Sequence, residues 1–166
     1  MEVKGVEKNK LNILNKFFSR NTFRHCYEEG YDKIYGQVIK KYINYDSTKT
    51  NSELVSEIYN ILKTEYRNEY YYKNTLLNKL LLGIHSVNTT TALTEIPIAK
   101  SKADFVLING KAVVYEIKTE LDNLERLESQ INDYFKAFDH VAVVTYNENV
   151  TAIQKKIDSI GKPVGI

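Results

Sequence analysis

The run Asp104-Phe105-Val106-Leu107-Ile108-Asn109-Gly110-Lys111-Ala112-Val113-Val114-Tyr115-Glu116-Ile117-Lys118 decides how the rest of the chain is read. Two stretches of β-branched and aromatic residues flank Asn109-Gly110, a dipeptide that readily closes a hairpin because both residues tolerate positive φ. Alternation along the second stretch puts Glu116 and Lys118 on one face of the strand and Tyr115 and Ile117 on the other. Two charged side chains then leave an apolar strand together, which is costly in a covered sheet unless they are paired or coordinated. Register decides whether Asp104 joins them. A plain two-residue turn would set Ile108 against Lys111 and Asp104 against Tyr115, splitting the acids. A loop over 109–111 with a bulge at Gly110 sets Asp104 against Glu116 instead. The expectation is that bulge, or a kink at Asp104.

Working outward, short β-type runs at 93–99, 104–108 and 112–118 form the middle of the chain. Asp122, with Glu125 three residues on, predicts the cap of a helix over 123–137, whose stripe is Leu124, Leu127, Ile131, Phe135 and Phe138. A buried strand over 140–146, an amphipathic helix over 150–160 and a strand beginning at Pro163 complete the C-terminal half. Upstream, apolar residues at spacings of three and four predict helices over 11–20 and 32–45. Thr50 and Glu53 spell a capping box for the next helix, and a further long helix runs over 66–84. Four helices therefore precede any strand. The order αβββαβ, then αβ, predicts an α/β fold: a mixed sheet flanked by helices. The expected organisation is a single domain over 1–166, with a helical extension at 1–64 and the sheet-bearing core at 65–166.

Composition narrows the class. At 166 residues, 43% hydrophobic and 27% charged, with two prolines and seven glycines, the chain is that of one folded globular domain. No apolar run approaches the ~20 residues of a membrane span, and residues 1 to 20 do not read as a secretion signal, so a cytoplasmic protein without membrane contact is expected. Cys26 is the sole cysteine, which excludes an internal disulfide and a thiolate zinc cluster. The net charge of +2 does not by itself announce a nucleic-acid binder. Residues 1–92 nevertheless carry 14 basic against 10 acidic side chains and 10 of the 13 tyrosines, and basic residues interleaved with aromatics suit a phosphate backbone with stacked bases. His25, His85 and His140 lack a second ligand at a recognisable spacing and read as structural.

One constellation stands above background. Asp104 and Glu116 offer the hard oxygen ligands that Mg²⁺ prefers, and Lys118 offers an ammonium to orient an attacking water and offset charge at a phosphorus centre. The following helix presents Arg126, Gln130 and Tyr134 beside its buried stripe. Glu95 on the first strand is a candidate accessory acid, and Glu69 and Lys73 form an i,i+4 pair on the helix before the strands. Spacing alone is cheap, since Glu2-Val3-Lys4 repeats the same Glu-x-Lys letters.

Asp104 followed by Glu116-Ile117-Lys118 on such an αβββαβ pattern resembles the PD-(D/E)XK nuclease superfamily, and Gln130-x-x-x-Tyr134 resembles a further motif of its RecB-type branch. The segments Tyr66 to Lys73, Ser101 to Asp104 and Tyr115 to Asp122, with Arg126-Leu127 and Gln130, are similar to the sce-type family of small bacterial and phage proteins. This resemblance spans roughly residues 64 to 146. It implies a restriction-endonuclease-like core with Asp104, Glu116 and the Ile117 carbonyl as ligands of Mg²⁺ or Mn²⁺, Lys118 as catalytic lysine and Gln130 positioning substrate or water. Under it, Arg67, Lys73, Arg126 and Tyr134 touch nucleic acid, with Glu69 and Glu95 accessory. The expected activity is metal-dependent cleavage of DNA, favoured over RNA. The alternatives are an inactive nuclease-fold protein, phage-encoded, that binds nucleic acid or a host protein, and an RNA-cleaving toxin. An exposed sheet edge at the C-terminus would favour a homodimer.

Overall fold

The computed structural model describes residues 12–43, 48–84, 86, 88–120 and 122–166, with backbone alone for 81, 82 and 84. The chain divides into two compact units, Met1–Tyr71 and Tyr72–Ile166.

The first unit is helical. Helix α1 occupies 12–17, followed by α2 (Arg20–Glu29), α3 (Lys33–Tyr42), α4 (Asn51–Thr64) and the start of α5 (Glu69–Leu76). Leu14, Phe17, Phe18, Val38, Ile39, Leu54, Ile58 and Leu62 are buried together, the inward stripes of α1, α3 and α4. Aromatic rings add to this core: Phe17 stacks on Tyr35 at 5.3 Å and Phe18 on Tyr70 at 4.7 Å. The capping box forms as the letters predict, with Glu53 N–H donating to Thr50 Oγ1 at 3.3 Å and Thr50 N–H donating to Glu53 Oε2 at 2.7 Å. Helix α2 is a correction to the sequence reading, which left 20–29 unassigned. Its single buried residue is Thr22, so it has almost no apolar stripe to announce it. Ser19 caps its start, and Gly30, at φ 73, ends it in the left-handed conformation that glycine adopts without a Cβ clash.

The second unit holds the sheet. After α5 the backbone continues through a π-helical stretch, Leu77–Ile84. Strands β1 (Thr91–Ile98), β2 (Ser101–Asn109), β3 (Lys111–Lys118), β4 (His140–Thr145) and β5 (Val164–Gly165) form one sheet in the order β1-β2-β3-β4-β5. The first three run antiparallel, and β3, β4 and β5 pair in parallel, each step crossed by a helix: α6 (Leu127–Tyr134) and then α7 (Val150–Ile160). The fold is mixed α/β with an open five-stranded sheet. Val114, Val141 and Val143 share a core with Leu127, Ile131 and Tyr134 of α6 and Ile153 and Ile157 of α7, so both helices cover one face. Phe105 and Tyr115 meet with ring centroids 5.9 Å apart, away from that core.

The β2–β3 register is the one set by a loop centred on Gly110: Asn109 pairs with Lys111, Ile108 with Ala112 and Phe105 with Tyr115. Gly110 sits at φ 67. Alternation also breaks where a kink was expected. Ala103 and Val106, an odd number of positions apart, both lie in the α6/α7 core, so β2 shifts phase at Asp104–Phe105. The helix cap assigned to Asp122 needs correction. Its Oδ2 instead accepts the Thr119 amide and hydroxyl, each at 2.7 Å, closing the turn after β3, and α6 starts later, at Leu127, without a side-chain cap. No helix among the described residues is long and apolar enough to cross a membrane.

Asp32 ties the turn between α2 and α3. Its Oδ1 accepts the amides of Ile34 at 2.7 Å and Tyr35 at 3.1 Å, and its Oδ2 lies 3.1 Å from His25 Nδ1. Burial pushes this carboxyl up, but the Tyr35 amide, His25 and the Ile34 amide outweigh it and hold it below the usual carboxylate range. Asp32→Ala should cost about 1 kcal/mol in denaturant unfolding at pH 7, as lost N-caps do. A depressed folded-state pKa means the contribution is present above the unfolded value of about 3.9 and fades as pH falls through the lower folded value. The gap between wild type and variant should therefore close in acid.

Candidate functional site

Strand β3 ends beneath α6. Parallel pairing sets Glu116 beside Val143 and Lys118 beside Thr145, and the shared apolar core seats α6 over the face to which both charges point. Gln130 and Tyr134, one helical turn apart, reach down from α6 to meet them. Lys118 Nζ donates to Glu116 Oε1 at 2.7 Å and to Gln130 Oε1 at 2.9 Å. Gln130 Nε2 donates to the same Glu116 oxygen at 2.5 Å, and the Tyr134 hydroxyl donates to Glu116 Oε2 at 2.5 Å. A phenol has one proton, and the short contact to the carboxylate claims it; the Lys102 carbonyl lies 3.0 Å from the same oxygen. Exposure is 2% for Glu116 and 7% for Lys118, so an ammonium, an amide and a phenol replace water around this carboxylate. Burial, followed by the charge of Glu116, drives the Tyr134 phenol far above its ordinary range, which keeps it a donor. Among the described residues no buried side-chain nitrogen or oxygen lacks a hydrogen-bond partner.

Of the other candidates in the second unit, Glu95 and Asp104 bring carboxylate oxygens within 4.8 Å of each other. Half-buried Asp104 accepts the Ile117 amide at 2.8 Å through Oδ2, beside the point where β2 changes phase. Glu95 takes up a left-handed backbone, φ 60, in mid-strand, and its carboxylate is paired with both Lys73 and Lys102. Burial raises that carboxyl, and the two ammonium groups more than reverse it, holding it below the usual range. Arg126 is exposed at the start of α6. Tyr134, expected to touch nucleic acid, is wholly buried with its hydroxyl on Glu116. Glu69 opens α5 within the first unit, where Arg67 places its guanidinium 6.0 Å from the Tyr71 ring centroid. The structure thus brings together Glu116, Lys118, Gln130 and Tyr134.

Sequence reasoning missed Asp133. Its Oδ2 accepts Ser101 Oγ at 2.8 Å and the Lys100 amide at 3.2 Å, and its Oδ1 accepts Lys136 Nζ at 2.5 Å, fastening α6 to the start of β2. The hydrogen bonds from Lys136 and Ser101 hold this carboxyl below its ordinary value. The i,i+3 spacing of Asp133 and Lys136 was the only signal in the letters, and it does not disclose Ser101.

Residues 62–166 match the family model described as bacteriophage P4 protein cII. Protein cII of Enterobacteria phage P4 is 26% identical over 93 residues, which cover 55% of this chain and 31% of that protein, so the match spans about a third of its length. No solved structure matches. These findings overturn the resemblance to the PD-(D/E)XK superfamily and its sce-type family, because the half of the chain that carried the resemblance matches a different family. The readings as a metal-dependent nuclease, as an inactive relative of one and as an RNA-cleaving toxin fall with it. The Glu-x-Lys spacing serves a closed ion pair here, with three side-chain donors engaging Glu116.

Removing one partner of a buried pair strands the other charge, at a cost of about 3 kcal/mol or more. Lys118→Met should lower urea stability by that order. Lys156→Met, which breaks an exposed pair with Glu128 at 3.3 Å, should lower it by less than about 1 kcal/mol. Equal effects for the two variants would mean that the buried cluster holds nothing together.

Proposed function

The chain belongs to the family of bacteriophage P4 protein cII; we propose, from its own helices, that it works by binding, and that nucleic acid is bound through α2 and α3 of the first unit while the second unit is a scaffold closed around Glu116. The helix pair precedes the matched residues, so support for it comes from this chain alone.

The single observation that carries the reading is the face of α3. Val38 and Ile39 are buried, whereas Lys33, Gln37, Lys40 and Lys41 are exposed at spacings of four, three and one, which gathers them on one side of the helix. No acid lies within Lys33–Tyr42. The preceding helix ends at Gly30, and the short turn through Tyr31 and Asp32 leads directly into α3. Two helices joined by a three-residue turn that contains glycine, with the second helix basic, is the layout that places a helix in the major groove. In such a placement Lys33 and Gln37, near the N-terminus of α3, reach base edges, while Lys40 and Lys41 meet phosphates. Tyr31, 63% exposed at the turn, adds an aromatic surface at the entrance. A lysine face can also be merely solvated, and salt dependence separates the two, since each neutralised phosphate adds about 0.9 to the slope of log affinity against log salt.

Fluorescence anisotropy with a labelled random-sequence duplex should show binding that weakens steeply with salt. The triple variant Lys33→Ala, Lys40→Ala, Lys41→Ala should weaken it at low salt and reduce the slope by about 2 to 3. An unchanged slope, or no binding by wild type at low salt, would overturn the proposal.

A further inference from the structure

The first unit also contains a cavity of about 530 Å³ between α3 and the start of α4, within the size range of small-ligand pockets. Ile39, Ile43 and Leu54 make its apolar lining. Tyr31 and Tyr35 supply aromatic surface, and Lys40 and Lys49 contribute the cations. From this arrangement we infer that the cavity is a binding site for a planar aromatic anion, an aryl ring carrying a phosphate or carboxylate.

Two further observations support a built site. Tyr35 is fixed from both ends: its ring stacks on Phe17 with an interplanar angle of 18°, and its hydroxyl donates to Asn51 Oδ1 at 2.9 Å across to α4. A ring held in this way offers a prepared surface at little entropic cost to binding. Gly36 is the second. Glycine inside a helix is unfavourable, and this one lies in the middle of α3. A Cβ at Gly36 would lie 3.2 Å from both Cε2 and the hydroxyl oxygen of Tyr31, so the absent side chain is what lets the Tyr31 ring fold against the helix at the cavity.

The charges choose the class of ligand. Lys49 Nζ is held 2.8 Å from Glu57 Oε1, which partly neutralises it. Lys40 lies one turn beyond Gly36 on the same helix, and among the described residues no acid pairs with it. An apolar floor with aromatic surface favours a flat ring, and the ammonium of Lys40 at the polar side favours an anion attached to it.

The site stands without the nucleic-acid reading, and it is tested without nucleic acid, so failure of one leaves the other intact. Isothermal titration of the full chain would use adenosine 5′-monophosphate and indole-3-acetate as aromatic anions, with adenosine and inorganic phosphate as controls. At least one aromatic anion should bind, adenosine should bind about tenfold more weakly than its monophosphate if that nucleotide is the one that fits, and phosphate alone should not register. Lys40→Glu should weaken the bound anion about tenfold or more, and Gly36→Leu, which displaces Tyr31, should abolish binding while the thermal transition is retained. Failure of both anions to bind, or binding indifferent to Lys40→Glu, would overturn the inference. If Gly36→Leu does not fold, Lys40→Glu decides alone, because its side chain is exposed and its replacement leaves the helix core untouched.

Discussion

The second unit depends on how one carboxylate is satisfied. Glu116 leaves β3 toward the face covered by α6, where water cannot solvate it. An unpaired charge there would be prohibitive, so the surroundings must supply donors. They come from two directions: Lys118 from the same strand, and Gln130 and Tyr134 from the helix. The consequence is geometric. The donors must stand within hydrogen-bond reach of two oxygens on one side chain, so α6 can neither slide along β3 nor rotate about its axis without breaking several contacts at once. Apolar packing of Leu127, Ile131 and the valines supplies most of the driving force but little positional discrimination, and the polar cluster supplies that. Asp133 repeats the device at the other end of the interface, holding α6 to Ser101 and Lys100.

Much of this architecture can be read from the letters, for identifiable reasons. Asn109-Gly110 between apolar runs dictates a hairpin, and a loop over 109–111 gives the register observed, with Ile108 against Ala112. Thr50 and Glu53 define a helix start because the capping box is local chemistry. What cannot be read is what depends on distant partners. Helix α2 buries only Thr22 and so lacks the periodicity that discloses a helix. Asp122 looks like a cap, but the amide and hydroxyl of Thr119 are nearer. The polar cluster is the sharpest case. Glu116 and Lys118 have the same spelling whether they attend an ion or pair with each other, and what the letters do not disclose is Gln130 and Tyr134 arriving from α6 at 2.5 Å.

The two units carry different chemistry. In the second, charged side chains on the helix-covered face are consumed in holding elements together, as at Glu116 and Asp133. In the first, buried Asp32 and Asn68 accept amides at helix starts, and the cations of α3 stand in solvent beside a cavity with an aromatic lining. Residues 62–166 carry the family match, while the exposed basic face and the cavity precede it. The family-matched residues and the exposed basic face with its cavity are thus distinguishable within one short chain. Activities of the full-length relative, of which the match covers 31%, belong to that protein.

The account's central claim is that Glu116 is closed by protein donors and is architectural. Its most direct measurement is the thermal midpoint of wild type and Glu116→Gln, each with about 10 mM Mg²⁺ and again with a chelator, because a ligand that binds the folded state raises its midpoint. The account predicts a large drop for Glu116→Gln in metal-free buffer and no Mg²⁺-dependent rise that Glu116 controls. A midpoint that climbs with Mg²⁺ in wild type and not in Glu116→Gln would contradict it, since the carboxylate would then be available to an ion.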